Sequence, residues 1–292
     1  MKLLLETLTA GTGYLTKHEV YEARLNMEHL LAHVLGCRRL DLYLRFGETL
    51  REEDLVKLRE LTRRRAEGEP LQHLLGTVDF LGHELISDHR ALIPRPETEH
   101  LVDWLIREVK AGRLNQPARV LDIATGSGCI GLTLASAWKD SLVMLADISE
   151  DALDLARMNA ARLGLHAVNM VRSDLFEKIT GSFDLVTANL PYIPSAEIRS
   201  LSREVRRDPV LALDGGPDGM DIIRRFLVEV QPRLLPHALI VLEVGHDQGR
   251  EVADQAAACG YVKTRLLADL AGIERFVFAE FVPALVAEES VV

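Results

Sequence analysis

The segment VLDIATGSGCIG, residues 120–131, decides the fold class of this chain of 292 residues. It begins with an apolar run that predicts a buried strand, and it ends with a second apolar run that predicts the start of a helix. Between the two runs, Gly126 and Gly128 lie in a loop that must turn the chain tightly from strand to helix. A strand, a glycine loop and a helix in this order are typical of α/β folds.

Strands and helices alternate around this segment. The predicted strands are ARVLDI (118–123), SLVMLADI (141–148), AVNMVRSD (167–174), FDLVTANL (183–190), ALIVLEVG (238–245) and ERFVFAEF (274–281). Ser149 is a preferred N-cap for the helix after the second strand, and Gly164 a preferred stop. Another helix is predicted from about Glu97 to Lys110, with Pro96 in its first turn. Apolar strands that alternate with helices favour a doubly wound, mostly parallel sheet.

The first 75 residues show a different, helical pattern. In HEVYEARLNMEHLLAHVLG, residues 18–36, apolar side chains recur largely on one face at helical spacing. Thr16 with Glu19 predicts a capping box at the start of this helix, and Gly36 predicts its end.

A second helix is predicted around LVKLRELTRRRAEG, residues 55–68, with Thr49 and Glu52 as its capping box and Pro70 beyond its end. Its Arg63-Arg64-Arg65 run is open to two interpretations, a local basic patch or a solvated helix face. No segment rich in β-forming residues interrupts the pattern, so this part of the chain predicts a small helical bundle.

The change of pattern predicts the domain organisation. We expect a helical domain over residues 1–75, a connecting segment with a possible β-hairpin over residues 76–91, an α/β domain over residues 92–282, and a tail over residues 283–292.

Composition excludes several classes of protein. Charged residues make up 27% of the chain and the net charge is −10, which argues against non-specific coating of nucleic acid, because that needs clustered Lys and Arg. No stretch reaches the ~18 apolar residues of a membrane helix. Three widely spaced cysteines without a C-x-x-C pair exclude a disulfide scaffold and a cysteine zinc site. We expect a cytoplasmic protein with no metal, no membrane partner and no stable nucleic-acid binding.

The glycine loop also predicts a nucleoside site. Gly126, Gly128 and Gly131 match G-x-G-x-x-G, and Asp147 ends the next strand, where it can accept hydrogen bonds from ribose hydroxyls. Asp122, four residues before Gly126, would repel the pyrophosphate of a nicotinamide cofactor. It is compatible with a cationic sulfonium such as S-adenosylmethionine, which carries no phosphate.

The segment TANLPYIP, residues 187–194, predicts a rigid loop after a strand, because its prolines restrict the backbone. A planar NH₂ group, on adenine, cytosine or a glutamine side chain, needs two acceptors to fix its hydrogens. The side-chain oxygen of Asn189 and the backbone carbonyl of Leu190 can supply them, and Tyr192 can pack flat against the planar group. Positioning would then supply most of the rate acceleration, with electrostatics assisting.

Together these motifs resemble those of bacterial peptide chain release factor glutamine methyltransferases over nearly the whole chain. The matching segments are RRRAEGEPLQHLLG (63–76), LIPRPETE (92–99), VLDIATGSG (120–128), ADISEDALDLARMNA (146–160), FDLVTANLPYI (183–193), ALDGGPDGMD (212–221) and LEVGHDQG (242–249). The segment IPRPETE discriminates this family from paralogues that modify a ribosomal protein.

The resemblance implies a class I S-adenosylmethionine-dependent methyltransferase fold. This fold is Rossmann-like, with a mostly parallel sheet and an antiparallel C-terminal strand, and it is preceded here by a small all-α domain that contacts the substrate. The implied activity transfers a methyl group from S-adenosylmethionine, leaving S-adenosylhomocysteine, to the glutamine side-chain nitrogen in the Gly-Gly-Gln motif of class I release factors.

The resemblance also implies roles for individual residues. The implied cofactor-binding residues are Ala124, Thr125, Gly126, Ser127, Gly128, Asp147, Ile148, Asp174, Leu175 and Asn189. The implied catalytic and substrate-binding residues are Asn189, Leu190, Pro191 and Tyr192, with Arg95 and Glu97 in the wall near the acceptor. No general base is evident. Glu243 lies either near the cofactor pocket or at a solvated strand end.

Three departures from the family pattern do not break the expected chemistry, although one of them leaves the substrate open. Leu190 stands where the family usually has proline, Ala124 replaces a frequent glycine, and Asp208 stands where the family tends to have glutamate. Asn-Leu-Pro-Tyr also occurs in rRNA adenine dimethyltransferases, so methylation of an exocyclic adenine amine in RNA or DNA is the main alternative. A nicotinamide-dependent oxidoreductase and a non-catalytic cofactor-binding module are the remaining hypotheses.

Overall fold

The computed structural model describes residues 2–283, so the predicted tail lies outside the described residues except for Pro283. The described residues form two compact units. One comprises residues 2–77 together with Leu201–Arg207, and the other comprises residues 78–200 and 208–283.

The first unit is mainly helical. Its elements are β1 (Lys2–Leu3), α1 (Leu4–Lys17), α2 (Ala23–Leu35), a 3₁₀ helix (Arg39–Leu44), β2 (Thr49–Leu50), α3 (Glu52–Ala66) and α4 (Leu71–Leu75). Leucines from these helices form one core, in which Leu4, Leu30 and Leu31 are completely buried. Burial of this apolar surface is the main stabilising contribution to such a bundle.

Both predicted capping boxes are wrong. Thr16 lies inside α1, where its hydroxyl donates to the backbone oxygen of Thr12 (2.9 Å), and α2 begins only at Ala23. Thr49 lies in β2, which pairs with β1. In both places the threonine lies within the preceding element, α1 or β2, and does not cap the helix that follows. The predicted stop is confirmed, because Gly36 ends α2 with a φ of 60°.

The Arg63-Arg64-Arg65 run is not a basic patch, because carboxylates compensate all three guanidinium groups. Arg63 pairs with Glu60 and Glu67, Arg64 with Glu69, and Arg65 with Glu204. Arg65 is also buried, and its Nε donates to Asn26 Oδ1 (2.6 Å), so it is not part of a solvated face either.

These arginine contacts explain why Leu201–Arg207 belongs to the first unit, which no sequence motif indicated. Arg65 Nη2 donates to Glu204 Oε1 (2.5 Å), and Arg203 Nη2 donates to the backbone oxygen of His18 (2.7 Å). The sequence separation between the partners exceeds 100 residues, so local patterns do not reveal such contacts.

The connecting segment holds two short strands, β3 (Thr77–Phe80) and β4 (His83–Ile86), which pair in a two-stranded sheet. Leu81 and Gly82 join them with φ values of 49° and 77°. A two-residue turn with positive φ at both positions matches the twist of the strands that it connects.

The second unit contains a seven-stranded sheet with helices between its strands. Its remaining elements are α5 (Pro96–Lys110), β5 (Arg119–Ile123), α6 (Cys129–Ala137), β6 (Leu142–Asp147), α7 (Glu150–Arg162), β7 (Asn169–Arg172), β8 (Phe183–Asn189), α8 (Asp221–Glu229), β9 (Leu234–Glu243), α9 (Gly249–Ala258), β10 (Val262–Ala268) and β11 (Glu274–Glu280). The strand order is β10-β11-β9-β8-β5-β6-β7.

The sheet confirms the predicted fold class. Neighbouring strands from β9 to β7 are parallel, and β11 is antiparallel to both β9 and β10. The six predicted strands are present, and Ser149 caps α7 by accepting from the backbone nitrogen of Ala152 (3.2 Å). The helices α8 and α9 and the edge strand β10 were not predicted. In β10 no residue is fully buried, so its pattern lacks the apolar run of the other strands.

Helices cover both faces of the sheet. On one face Phe226 of α8 and Val252 of α9 pack in a cluster with Ile240 of β9. On the other face Leu101 of α5 packs in a cluster with Val241 of the same strand. Strand order reverses between β5 and β8, and ligands of open parallel sheets bind at the carboxyl ends of strands at such a point.

Over residues 2–283, none of the helices combines the length and the hydropathy that crossing a membrane requires.

Candidate active site

A cavity of about 210 Å³ lies at the carboxyl ends of the strands β5 to β8, where the strand order reverses. Among the predicted site residues, twelve line it: Arg95, Ala124, Thr125, Gly126, Ser127, Asp147, Ile148, Asp174, Leu175, Asn189, Leu190 and Pro191. Gly128, Tyr192 and Glu97 do not line it. The structure therefore brings together, in one cavity, the glycine loop, Asp147 and the loop of residues 189–192, which is called the acceptor loop after its expected role.

Asp122 braces the glycine loop from behind. Its carboxylate accepts from Thr125 Oγ1 (2.6 Å), from Thr187 Oγ1 (2.9 Å) and from the backbone nitrogen of Gly131 (3.1 Å). Asp122 is completely buried and does not line the cavity, contrary to its expected place beside the ligand. Burial raises the pKa of Asp122 to about 6, and the hydrogen bonds oppose that rise.

Left-handed backbone conformations shape the loop in front of Asp122. Ala124, Gly126 and Gly128 have φ values of 54°, 56° and 83°. For Ala124 this conformation costs about 1–2 kcal/mol, because the Cβ approaches the following carbonyl oxygen. A Cβ on Gly128 would lie 2.7 Å from Leu132 Cδ1, so the close packing between the loop and α6 requires glycine there.

Asp147 links the second strand to the glycine loop. One carboxylate oxygen accepts from the backbone nitrogen of Gly126 (2.9 Å), and the other accepts from the backbone nitrogen of Ser149 (2.9 Å). Asp147 is only 9% exposed, and burial raises its pKa against these hydrogen bonds. Because each carboxylate oxygen has two lone pairs, Asp147 can still accept hydrogen bonds from the hydroxyl groups of a ribose.

Two further lining residues, Asp174 and Leu175, follow β7. Asp174 Oδ1 pairs with Arg225 Nη2 of α8 (3.1 Å) on the partly exposed side of the cavity. Leu175 is buried with a φ of 41°, a left-handed conformation that is uncommon for residues other than glycine.

Segments far apart in sequence hold the acceptor loop. Leu190 is buried in the sheet core, and Gln248 Nε2 donates to the backbone oxygen of Tyr192 (2.9 Å). A Cβ on Gly219 would lie 2.2 Å from that same Tyr192 oxygen, and one on Gly215 would lie 2.7 Å from the Pro191 oxygen. The segments ALDGGPDGMD and LEVGHDQG therefore support the loop, a role that no sequence motif indicated.

Asn189 is oriented by two residues behind it. Its Nδ2 donates to Thr98 Oγ1 (3.3 Å), and Thr98 Oγ1 donates to Glu243 Oε2 (2.7 Å). With the amide nitrogen engaged in this way, Oδ1 is the acceptor that the Asn189 side chain retains.

Glu243 is 2% exposed, so the interpretation as a solvated strand end is wrong. It lies near the cavity without lining it, because it accepts from Thr98, which is a lining residue. Burial raises the pKa of Glu243 to about 7, opposed by the hydrogen bond from Thr98. The role of Thr98 was not predicted, because its partners follow it by 91 and 145 residues.

Arg95 and Asp208 form one wall of the site. Arg95 Nη2 donates to Asp208 Oδ2 (2.6 Å), and the Asp208 side chain is completely buried. Burial raises the pKa of Asp208 to about 6, opposed by the Arg95 charge. The segment that follows Asp208 supplies Pro209, Leu211 and Ala212 to the lining. The ion pair therefore connects this segment to the start of α5.

The lining fits S-adenosylmethionine better than a dinucleotide. Within the lining, carboxylates neutralise all three cationic side chains: Arg90 pairs with Asp88, Arg95 with Asp208, and Arg225 with Asp174. A pyrophosphate needs donors or cations that remain unpaired. The remaining lining offers the ribose acceptor Asp147 and mainly apolar surface, which suit a nucleoside without phosphate. Across residues 2–283, no cluster of three or more His, Cys, Asp or Glu side chains could hold a metal.

Comparison with known proteins identifies the family. Residues 6–76 match the model of the PrmC N-terminal domain, and residues 102–204 match that of the methyltransferase small domain. The chain is 39% identical to the release factor glutamine methyltransferase of Deinococcus radiodurans, over 94% of this chain and 98% of that protein. It is also 39% identical to the enzyme of the same name from Rhodopirellula baltica, over 90% of this chain and 91% of that protein.

A solved structure supports the fold alone. The crystal structure of the hMettl16 catalytic domain aligns with a TM-score of 0.55 at 13% identity, covering 78% of this chain and 81% of that chain. The family itself follows from the full-length relatives, whose identity to this chain extends across both units. The chain belongs to the family of release factor glutamine methyltransferases.

Proposed function

We propose that this chain transfers a methyl group from S-adenosylmethionine to the glutamine side-chain nitrogen in the Gly-Gly-Gln motif of class I release factors, in the cytoplasm. The observation that carries the proposal is Asn189, which lines the cavity with its amide nitrogen engaged by Thr98 and its oxygen left as an acceptor. Membership of the family supports the glutamine substrate over an adenine amine.

Acceptor positioning is the main task of the acceptor loop. In the proposed mechanism Asn189 Oδ1 and the Leu190 carbonyl each accept one hydrogen of the glutamine NH₂ group. The nitrogen is then held in one orientation, and its electron density is raised, which matters because an amide nitrogen is a weak nucleophile. Tyr192 follows the lining residue Pro191 without lining the cavity itself, and its proposed role is to pack beside the bound amide. Burial raises the pKa of Tyr192 to about 12, so its phenol stays neutral and does not act as a base.

Cofactor binding is the task of the loops after β5, β6 and β7. In the proposal Asp147 accepts from the ribose hydroxyls, the loop 124–128 lies against the cofactor, and Asp174 with Leu175 flanks the adenine. When bound, S-adenosylmethionine supplies an electrophilic methyl group and leaves as S-adenosylhomocysteine. No general base is assigned, and the proton of the methylated amide passes to water after transfer.

Substrate choice requires more surface than a glutamine loop provides. We assign the helical unit a role in contacting the release factor away from the reacting glutamine, because three residues of a glycine-rich loop cannot supply an interface of ordinary size. The paired arginines of α3 give this unit no free basic run for nucleic acid. The proposal therefore includes release factors as partners and neither stable nucleic-acid binding nor a membrane partner.

The test is a labelling experiment with three substrates. Purified protein is incubated with methyl-labelled S-adenosylmethionine and either a class I release factor, its loop Gln→Ala variant or bulk rRNA. Mass spectrometry then locates the label. We expect label on the loop glutamine alone, and none in the Gln→Ala variant. Label on rRNA without label on the release factor would contradict the proposal and favour the adenine alternative.

A further inference from the structure

The side chain of Asn189 is connected to a carboxylate on the neighbouring strand, that of Glu243. Asn189 ends β8 and pairs in register with Glu243, the last residue of β9. Thr98, in the first turn of α5, connects the two side chains: Asn189 Nδ2 donates to its hydroxyl oxygen, and its hydroxyl donates to Glu243 Oε2. Thr98 and Glu243 are both 2% exposed, so water does not compete for this connection.

Protonation of Glu243 decides the direction of these hydrogen bonds. An ionised carboxylate only accepts, so the Thr98 hydrogen must point to Glu243. The Thr98 oxygen is then left as an acceptor for the Asn189 NH₂ group, and Asn189 Oδ1 faces away from Thr98. A protonated Glu243 can donate to Thr98 instead. The Thr98 hydrogen is then free to bind Asn189 Oδ1, which turns the NH₂ group of Asn189 toward the acceptor.

We propose that Glu243 is a positioning residue for methyl transfer, and that its carboxylate, acting through Thr98, holds the Asn189 amide with its oxygen toward the substrate glutamine. This inference rests on the proposed function, since it concerns the same acceptor site. If the Asn189 side chain were reversed, its NH₂ group would face the NH₂ group of the substrate glutamine, and neither group can accept a hydrogen bond from the other. The enzyme is then active only while Glu243 is ionised.

Two charged and two titratable but neutral groups face Glu243. The charged groups are Glu97 of α5 and Arg275 of β11, and the neutral groups are Tyr192 of the acceptor loop and Cys129 of α6. Burial raises the pKa of Glu243 to about 7, and Glu97 adds to the rise. The Thr98 hydrogen bond, the Arg275 charge and a weaker direct hydrogen bond from the Asn189 amide oppose it, so Asn189 also responds to the Glu243 carboxylate directly. Because the carboxylate is the active form, the rate is expected to be highest well above pH 7 and to fall as the pH drops through 7.

The experiment measures kcat and KM for the release factor from pH 6 to pH 9, together with the affinity for S-adenosylmethionine by calorimetry. Wild-type activity should fall on the acid side near pH 7. In Glu243→Gln either end of the new side-chain amide can face Thr98. We therefore expect kcat/KM at pH 8.5 to fall about tenfold, which is the loss expected from one oriented hydrogen bond. The fall in activity on the acid side near pH 7 should disappear, because glutamine does not titrate. Affinity for S-adenosylmethionine should stay within about threefold, because Glu243 does not line the cavity.

Two substitutions at Thr98 separate positioning from packing. Thr98→Val keeps the volume without the hydroxyl and should lower kcat/KM about tenfold, whereas Thr98→Ser keeps the hydroxyl and should restore most of the activity. If Val and Ser behaved alike, Thr98 would act through packing and the inference would be wrong.

The wild-type pH profile tests the inference without any variant. A profile that is flat from pH 6 to pH 9, or a Glu243→Gln enzyme that keeps both the acid limb and the wild-type rate, would overturn the role of Glu243. In either case wild-type labelling of the release factor glutamine would leave the proposed function standing. A wild-type enzyme that labels no glutamine at any pH would overturn both.

Discussion

The cofactor side and the acceptor side of the cavity are built in different ways. Asp122 braces the glycine loop through Thr125 and Gly131, three and nine residues away, and Asp147 reaches Gly126 across 21 residues. A distant bond to Asp122 comes from Thr187, 65 residues away. The acceptor loop instead depends on partners in distant segments. These partners are Thr98, Gly215, Gly219, Glu243 and Gln248. A site made from one strand, its loop and the next strand is visible as a motif, whereas a site held by remote contacts is not.

If this division is correct, substitutions on the two sides should separate binding of S-adenosylmethionine from transfer to the release factor.

The largest effect is expected at Asn189. In Asn189→Ala the acceptor oxygen is lost, and kcat should fall roughly 10²–10³-fold, as for loss of one preorganised group at a reacting centre. Single-turnover labelling of the release factor measures it.

The matched control for this variant is Asn169→Ala, the same chemical change at an exposed position at the start of β7. It should leave the rate unchanged. An equal loss in both variants would show that the assay reports general damage.

Gly219 should give the next largest effect. In Gly219→Ala the new Cβ would lie 2.2 Å from the Tyr192 backbone oxygen, so the acceptor loop must shift. A strain of about 2–3 kcal/mol corresponds to roughly a 30- to 160-fold loss of kcat/KM for the release factor, with little change in affinity for S-adenosylmethionine. Steady-state kinetics and calorimetry measure the two quantities.

The control, Gly112→Ala, has a similar φ of 69° against 77° but no atom within 4 Å of the new Cβ. It should lower stability slightly and leave kinetics unchanged. Kinetic losses of the same size in both variants would mean that backbone conformation, and not the Tyr192 contact, is responsible.

Asp147 tests the cofactor side. Asp147→Asn replaces one carboxylate oxygen by an NH₂ group, which cannot accept from either of the backbone nitrogens of Gly126 and Ser149. Affinity for S-adenosylmethionine should fall about tenfold, the value of one charged hydrogen bond, and kcat at saturating cofactor should change less. Calorimetric titration gives the affinity.

Asp174→Asn is the comparison, because Asp174 is partly exposed and already paired with Arg225. The loss should be under about threefold, since an exposed ion pair contributes little. A larger loss at Asp174 than at Asp147 would move the main cofactor contact from the ribose to the adenine side.

The smallest effect is expected at Ala124, which has a φ of 54°. Ala124→Gly should raise the free energy of unfolding by up to about 1 kcal/mol, because relief of the left-handed alanine slightly exceeds the added chain entropy of glycine. Urea unfolding measures this change. The same substitution in a regular helix, Ala253→Gly in α9, should lower stability by about 1 kcal/mol. If both variants lost stability equally, the Ala124 backbone would not be strained.

Features that depend on local contacts were predicted from the sequence, whereas features that depend on distant contacts were not. Apolar runs, the helix stops at Gly36 and Gly164, and the N-cap at Ser149 depend on neighbours within a few residues, and they predicted the sheet and most helices. The predicted capping boxes at Thr16 and Thr49 were wrong because Thr16 lies inside α1 and Thr49 lies in the strand pair β1–β2. Propensity gives a preference, and tertiary context decides between competing partners.

The sequence by itself determined the doubly wound fold, the glycine loop, and the places of Asp147 and of Asn-Leu-Pro-Tyr at the ends of their strands, because each is written in contiguous residues with fixed spacing. Only the tertiary structure decided that Asp122 faces the loop and not the ligand, that Gly219 and Gln248 hold the acceptor loop, and that Thr98 connects Asn189 to a buried Glu243. The Asp122–Thr125 bond spans 3 positions, and the other contacts join residues 27 to 145 positions apart. They depend on how strands and helices pack, and packing is a property of the whole fold and not of any local pattern.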